Sequence, residues 1–203
     1  MKDILLLGDS IRQNYQDYVQ KQLRSIANVY YTDDNGKFGY YTLRYLHEWI
    51  RALSKFNEIE FDIVHFNCGL WDILRLSSEN RTFTAKEEYR EILKRIVERI
   101  RFLCPKAKIV FALTTEVIEP GFESGIGVGE RKNADIRIFN SVALEVCKEL
   151  KIVVDDLWNI SRALPQEAHS DMVHYDTDIG IKALGNQVVN CLRSVLEGVE
   201  IKE

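Results

Sequence analysis

The tightest constraint on how this chain can fold is an alternation. Short apolar runs at Asp3–Leu7, Asn28–Tyr31, Phe61–Phe66, Lys108–Thr114 and Ile152–Val154 are separated by longer stretches with helical spacing. Ile11, Tyr15, Tyr18, Val19, Leu23 and Ile26 fall on one helical face, as do Leu43, Leu46, Trp49, Ile50 and Leu53. Tyr89, Leu93, Ile96, Ile100 and Leu103 form a third face. Thr84-Ala-Lys-Glu87 has the form of a capping box for that helix, and Pro105 follows its end. Ile179 to Leu196 predicts a closing helix. No two runs are joined by a hairpin turn, so the strands run parallel and helices cover both faces of the sheet. Right-handed crossovers leave few topologies. The simplest is an α/β, flavodoxin-like, three-layer α/β/α sandwich with a five-stranded parallel sheet.

Composition removes several classes of partner. The 203 residues carry no repeat or Pro/Ser linker, and residues 1–203 read as one domain. With 27 Lys+Arg against 31 Asp+Glu the net charge is −4, so neither nucleic acid nor a membrane surface is an expected partner. The charge leaves a small molecule or an oligosaccharide open as a partner. Oligomeric state stays open, a homodimer being one option. The opening Met1-Lys-Asp-Ile-Leu-Leu-Leu-Gly8 is too short in apolar residues for a secretory segment, which needs roughly 7–15. No run approaches the roughly 18 of a membrane helix, so a soluble, cytoplasmic protein is expected. Cys68, Cys104, Cys147 and Cys191 are far apart and form no C-x-x-C pair. They read as buried small hydrophobes, with no metal, cofactor or disulfide framework expected.

In open parallel sheets the chemistry gathers beyond the carboxyl ends of the strands. The first strand ends in Gly8-Asp9-Ser10, and a helix begins at once. Ser10 reads in two ways. It is an ordinary helix cap, or a nucleophile whose neighbouring N–H groups suit an oxyanion. A nucleophilic serine needs a base, and the base an orienting group. Two of the four histidines follow an Asp by three residues: Asp62/His65 and Asp171/His174. The first pair lies on a strand, where residues three apart face opposite sides, so His65 reads as a core histidine. The second lies in a polar stretch before the last helix. A turn there brings the carboxylate back onto the ring, although an ordinary solvated loop histidine has the same sequence.

Taken together, these blocks resemble the SGNH/GDSL family of hydrolases. Gly8-Asp9-Ser10 is similar to that family's first block and Asp171-Met-Val-His174-Tyr175 to its last. Asn35-Gly36-Lys37-Phe38-Gly39, followed by Tyr40-Tyr41-Thr42-Leu43, stands where the glycine-bearing second block belongs. Asn67-Cys-Gly69-Leu-Trp71-Asp72 stands where the family usually has Gly-x-Asn-Asp. The likeness spans residues 3 to about 195, with every block in order at a strand end. It implies ester hydrolysis through an acyl-serine intermediate, with Ser10 as nucleophile, His174 as general base and acid, and Asp171 as its orienter. The implied oxyanion hole is the Ser10 N–H, a second-block glycine N–H and an Asn side chain. Gly39 fits the glycine better than Gly36 because it opens a helix. The third block departs from the pattern. Trp71 occupies the usual asparagine position, so Asn67 is the expected substitute, or else a residue that ties down its loop.

The same resemblance implies a metal-independent serine esterase that removes small acyl groups, acetyl above all, from an O-acetylated carbohydrate. Asp9, Trp71, Thr115 and Tyr175 are the expected substrate-lining residues, and Tyr40, Tyr41, Trp71 and Tyr175 the aromatics for stacking on a sugar. It leaves two alternatives: a lysophospholipase or thioesterase, and a carbohydrate- or ester-binding protein that has lost turnover. Gly125-Ile-Gly127-Val-Gly129 lacks the ending of a phosphate loop and reads as part of a mobile substrate lid over Glu116–Arg131. Arg131-Lys132-Asn133 reads as a solvated helix start or as a contact to substrate. Asp176-Thr-Asp178 lacks the remaining ligands of a calcium loop, and Asp176 or Thr177 is expected to cap the last helix.

Overall fold

A computed structural model describes residues 1–56, 58–77, 79–119 and 129–198. In chain order the elements are β1 (Lys2–Leu7), α1 (Ser10–Leu23), β2 (Ala27–Tyr31), α2 (Gly39–Leu53), β3 (Ile63–Phe66), β4 (Arg75–Leu76) and α3 (Lys86–Leu103). They continue with β5 (Lys108–Ala112), β6 (Gly129–Glu130), α4 (Asn133–Leu150), β7 (Val153–Asp155), α5 (Leu157–Arg162), a 3-10 turn at Gln166–Ala168, and α6 (Asp178–Glu197). Five strands form one sheet in the order β2-β1-β3-β5-β7, each pair parallel. Counted within that sheet alone, this is the flavodoxin-like order anticipated from the crossover rules.

Burial explains the apolar runs. Ile4 to Leu7 on β1 and Ile63 to Phe66 on β3 are buried residue after residue, without the alternation of a half-solvated sheet. A parallel sheet gives this pattern because its crossovers put helices on both faces. Here α1 packs against α6, while α2, α3 and α4 pack side by side. Each fully buried aliphatic side chain contributes roughly 1.5–3 kcal/mol of transfer free energy.

His65 lies within this core, as its strand position implies. Its Nε2 is 2.9 Å from Asp155 Oδ2, both side chains fully buried, and Gln187 donates to the other oxygen of Asp155 at 2.8 Å. Asp62 instead accepts from Lys2 Nζ at 2.6 Å and from the Asp3 N–H at 2.9 Å. The four cysteines are buried and unpaired with one another. No helix among the described residues is long and apolar enough to cross a membrane.

Two local readings change. The cap of α3 sits one residue later than the Thr84–Glu87 box. Glu88 reaches back to the Ala85 N–H at 3.1 Å, because the Thr84 hydroxyl is taken by Asp72 at 2.7 Å. The second change is an antiparallel ribbon, with Arg75 opposite Glu130 and Leu76 opposite Gly129. Strands of two residues have no period for a sequence to display.

Candidate active site

The turn after β1 places Ser10 as the first residue of α1, with Asp9 as the N-cap. The Asp9 Oδ1 accepts from the Ile11 N–H at 3.0 Å, so Ser10 is not the capping side chain. Its hydroxyl is left at the sheet's edge, and at this position an N–H has no intrahelical acceptor.

The Asp171–His174 turn closes as the polar stretch allows. Asp171 Oδ1 accepts from the Val173 and His174 N–H groups, both at 2.7 Å, and Oδ2 lies 2.8 Å from His174 Nδ1. A carboxylate only accepts, so Nδ1 carries the proton and the neutral ring presents an acceptor at Nε2. That nitrogen is 2.9 Å from Ser10 Oγ. Burial pushes the Asp171 carboxyl up, but the three hydrogen bonds outweigh it and hold the pKa below the ordinary value. Asp171 is therefore an anion wherever His174 needs one. Tyr175 N–H on Asn14 of α1 at 3.3 Å holds the two segments together, and Thr177 caps α6 through the Gly180 N–H at 3.2 Å.

Asn67 ends up beside the same turn. Gly8 has φ +149°, and a Cβ there would sit 1.8 Å from Asn67 Oδ1, so only glycine lets the amide lie this close. The Asn67 amide also stands near the Asp9 carboxyl. Burial raises the Asp9 pKa, and Asn67, the Ile11 N–H, Arg12 and Arg131 act against that rise. Asp9 Oδ2 and Asn67 Oδ1 nevertheless have no hydrogen-bond partner among the described residues.

A serine, a histidine and an aspartate joined by hydrogen bonds, at the carboxyl end of a parallel sheet, form an arrangement that can carry out acyl transfer. The GDSL-like lipase/acylhydrolase family model matches residues 6–179. The chain belongs to this family of ester hydrolases. Solved structures share the fold of this GDSL hydrolase. A lipase/acylhydrolase from Enterococcus faecalis is 20% identical, covers 100% of both chains and superposes with a TM-score of 0.71. An acetyl xylan esterase is 14% identical over 94% of this chain and 99% of its own, with a TM-score of 0.73. A carbohydrate esterase family 3 protein from Talaromyces cellulolyticus is 16% identical over 98% and 100%, with a TM-score of 0.71. No curated protein sequence matches.

Several expected residues of this GDSL hydrolase stand elsewhere than anticipated. The Gly39 N–H does not face the crevice as a free donor. It donates to both oxygens of Asp72, at 3.1 and 3.0 Å. Gly36 donates to the Gly8 carbonyl at 2.8 Å. Of the substrate-lining candidates, Asp9 and Tyr175 are fully buried and Thr115 nearly so, whereas Trp71 is partly exposed. Tyr175 cannot stack on a sugar, since its ring packs on His169 at 4.0 Å and its hydroxyl donates to the Glu116 carbonyl at 2.8 Å. Tyr40 is exposed, and Tyr41 is partly covered by neighbouring rings. Pro120 to Val128 of the expected lid lie outside the described residues.

Two residues went unrecognised in the sequence. Asp72 joins the second and third blocks through Gly39 and Thr84, and its burial lifts its pKa to about 6, with Asp9 adding to the rise. Arg131, read as a solvated helix start, is completely buried. A lone Arg beside a polar loop carries no sequence signal for that.

Proposed function

We propose that this GDSL hydrolase is a serine esterase that removes small acyl groups, acetyl first, from an O-acetylated carbohydrate. The observation that carries this reading is the continuous chain from Ser10 Oγ through His174 to Asp171, at 2.9 and 2.8 Å.

In the proposed reaction Ser10 Oγ attacks the acyl carbonyl carbon as its proton passes to His174 Nε2. The carbonyl oxygen becomes an oxyanion beside the Ser10 N–H and the Asn67 amide, at the positive end of α1. Collapse expels the sugar oxygen, which takes the proton from His174, and leaves acyl-Ser10. A water then attacks the acyl carbon, giving its proton to His174, and in the second collapse Ser10 Oγ leaves with that proton and releases the carboxylic acid, which ionises in solvent. Asp171 keeps the ring in the working tautomer and offsets the charge of the imidazolium. The protein supplies nucleophile, base and charge stabilisation, so this route requires no metal.

The small acyl group and the sugar are supported more thinly. Two structures sharing the fold are named as an acetyl xylan esterase and a carbohydrate esterase. Phe38, Tyr41, Tyr45 and Phe83 form a partly exposed cluster on and beside α2, next to the second block. Hydrolysis of p-nitrophenyl acetate, butyrate and octanoate, beside acetate release from acetylated xylo-oligosaccharides, tests the reading. Preference for acetate and for the oligosaccharide, both lost in Ser10→Ala, supports it. Preference for octanoate overturns the acyl assignment, and equal rates from both proteins overturn the esterase.

A further inference from the structure

Two completely buried arginines act on Asp9 in the turn that carries Ser10. Arg12, on α1, donates to the carbonyls of Gly8, Thr32 and Asp34 at 3.2, 2.7 and 2.6 Å, joining the turn to the loop after β2. Arg131 follows β6 and reaches the loop after β3. Its Nε donates to the Leu70 carbonyl at 2.7 Å, and its guanidinium carbon lies 5.8 Å from the centre of the Trp71 ring. Leu70 and Trp71 belong to the loop that begins at Asn67. A buried guanidinium is costly unless its surroundings use the charge and the donors.

The backbone delivers Arg131 to this place from both sides. Before it, Gly129 and Glu130 pair with Leu76 and Arg75, and a Cβ at Gly129 would sit 2.0 Å from the Arg75 carbonyl oxygen. After it, Asn133 exchanges two hydrogen bonds with the backbone of Val117, at 3.0 and 2.8 Å. The segment is therefore pinned to β4 and to the residues after β5 by contacts that need nothing from Arg131 itself.

We propose that Arg131 is a positioning residue of the esterase, acting through the Leu70 carbonyl on the loop that aims Asn67 and through its charge on Asp9. This rests on the assignment of Ser10 and Asn67 made above. Asp9 is a buried carboxylate next to the place where the oxyanion forms, and uncompensated it would oppose that negative charge. Arg12 and Arg131 both offset it. Asp9 in turn bears electrostatically on Tyr15 of α1, on Cys68 and Asp72 in the third-block loop and on Tyr89 of α3. The cations acting against its burial are Arg12 and Arg131. Asp9 Oδ1 caps the Ser10 turn through the Ile11 N–H, a bond the anion accepts more strongly than the acid. Loss of Arg131 leaves Asp9 harder to ionise, so the turn loses its charged cap at the acid end and the rising limb of the activity profile moves to higher pH.

The experiment compares wild type, Arg131→Met, Arg131→Lys and Ser10→Ala on p-nitrophenyl acetate, with kcat, KM and the pH dependence of kcat/KM, and with thermal melts to verify folding. Arg131→Met should lower kcat roughly 10–100-fold, short of the 10²–10³ for deleting an oxyanion donor, with KM nearly unchanged and the acid limb displaced upward. Arg131→Lys keeps the charge without the Nε–H aimed at Leu70. It should return the limb to its wild-type position while kcat stays low. Wild-type kcat in a folded Arg131→Met, or a loss that is equal at every pH and identical in both variants, overturns the proposal. Should Arg131→Met fail to fold, Arg131→Lys decides alone: reduced kcat with the limb in place supports it, and unchanged kcat overturns it. Ser10→Ala keeps the two questions apart, because an active Ser10→Ala would overturn the serine mechanism itself.

Discussion

His174 Nε2 stands 2.9 Å from Ser10 Oγ across 164 residues of chain. The contact exists because β1 and the α6 approach end at the same edge of the sheet, with Asn14 of α1 holding the Tyr175 N–H. From this placement the consequences can be measured one residue at a time.

Asp171→Asn should keep the turn, since an amide oxygen still accepts from the Val173 and His174 N–H groups. It loses the anion and disturbs the ring's tautomer. An expected fall in kcat of up to roughly 10⁴, with little change in KM, is checked by steady-state kinetics. A variant within a few-fold of wild type would show that His174 needs no orienter.

Asn67→Ala removes the side-chain donor proposed for the oxyanion. Turnover should drop by roughly 10²–10³ while KM stays close to wild type. If only KM moves, Asn67 contacts the substrate's ground state instead.

Gly8→Ala tests the fit between the first and third blocks. The added methyl meets Asn67 Oδ1 at 1.8 Å in a backbone region that L side chains rarely adopt. Strain of about 1–3 kcal/mol from the backbone alone, with the clash added, should lower the melting temperature and activity together. A variant with wild-type melting and kinetics would contradict the packing described.

Asp72 makes stability depend on pH in a definite direction. Its pKa is raised to about 6 in the fold, from an ordinary 3.8, so the folded state keeps a proton that the unfolded chain has released. This contribution is fully present below 3.8 and is lost as the pH rises through about 6. Between about pH 4 and about pH 7 the wild type should lose roughly 2 kcal/mol that Asp72→Asn does not. Urea unfolding of both proteins across that range measures it, and parallel curves would refute it.

How much of this was readable in advance depended on sequence distance. The sheet order follows from alternating runs and crossover handedness, and Asp171 with His174 is a turn three residues long. His65 was separable from Asp62 by strand geometry alone. The misread features depend on partners far along the chain. The Gly39 N–H is claimed by Asp72, 33 residues on, and Arg131 by the Leu70 carbonyl, 61 residues before it. Tyr175 looked like a substrate aromatic because its motif is polar, yet its ring is covered by His169, and only the packed loop reveals that. Short-range geometry and period are visible in a sequence, whereas the claims of distant carbonyls and carboxylates are not.

Ser10 Oγ is the atom proposed to become acylated. A phosphonate ester with a small alkyl group, followed by intact-mass and peptide mass spectrometry, tests that most directly. One adduct per chain, confined to the peptide containing Ser10, accompanied by loss of p-nitrophenyl acetate hydrolysis and absent from Ser10→Ala, is the expected result. An adduct on another residue, or full inactivation with Ser10 unmodified, would contradict it.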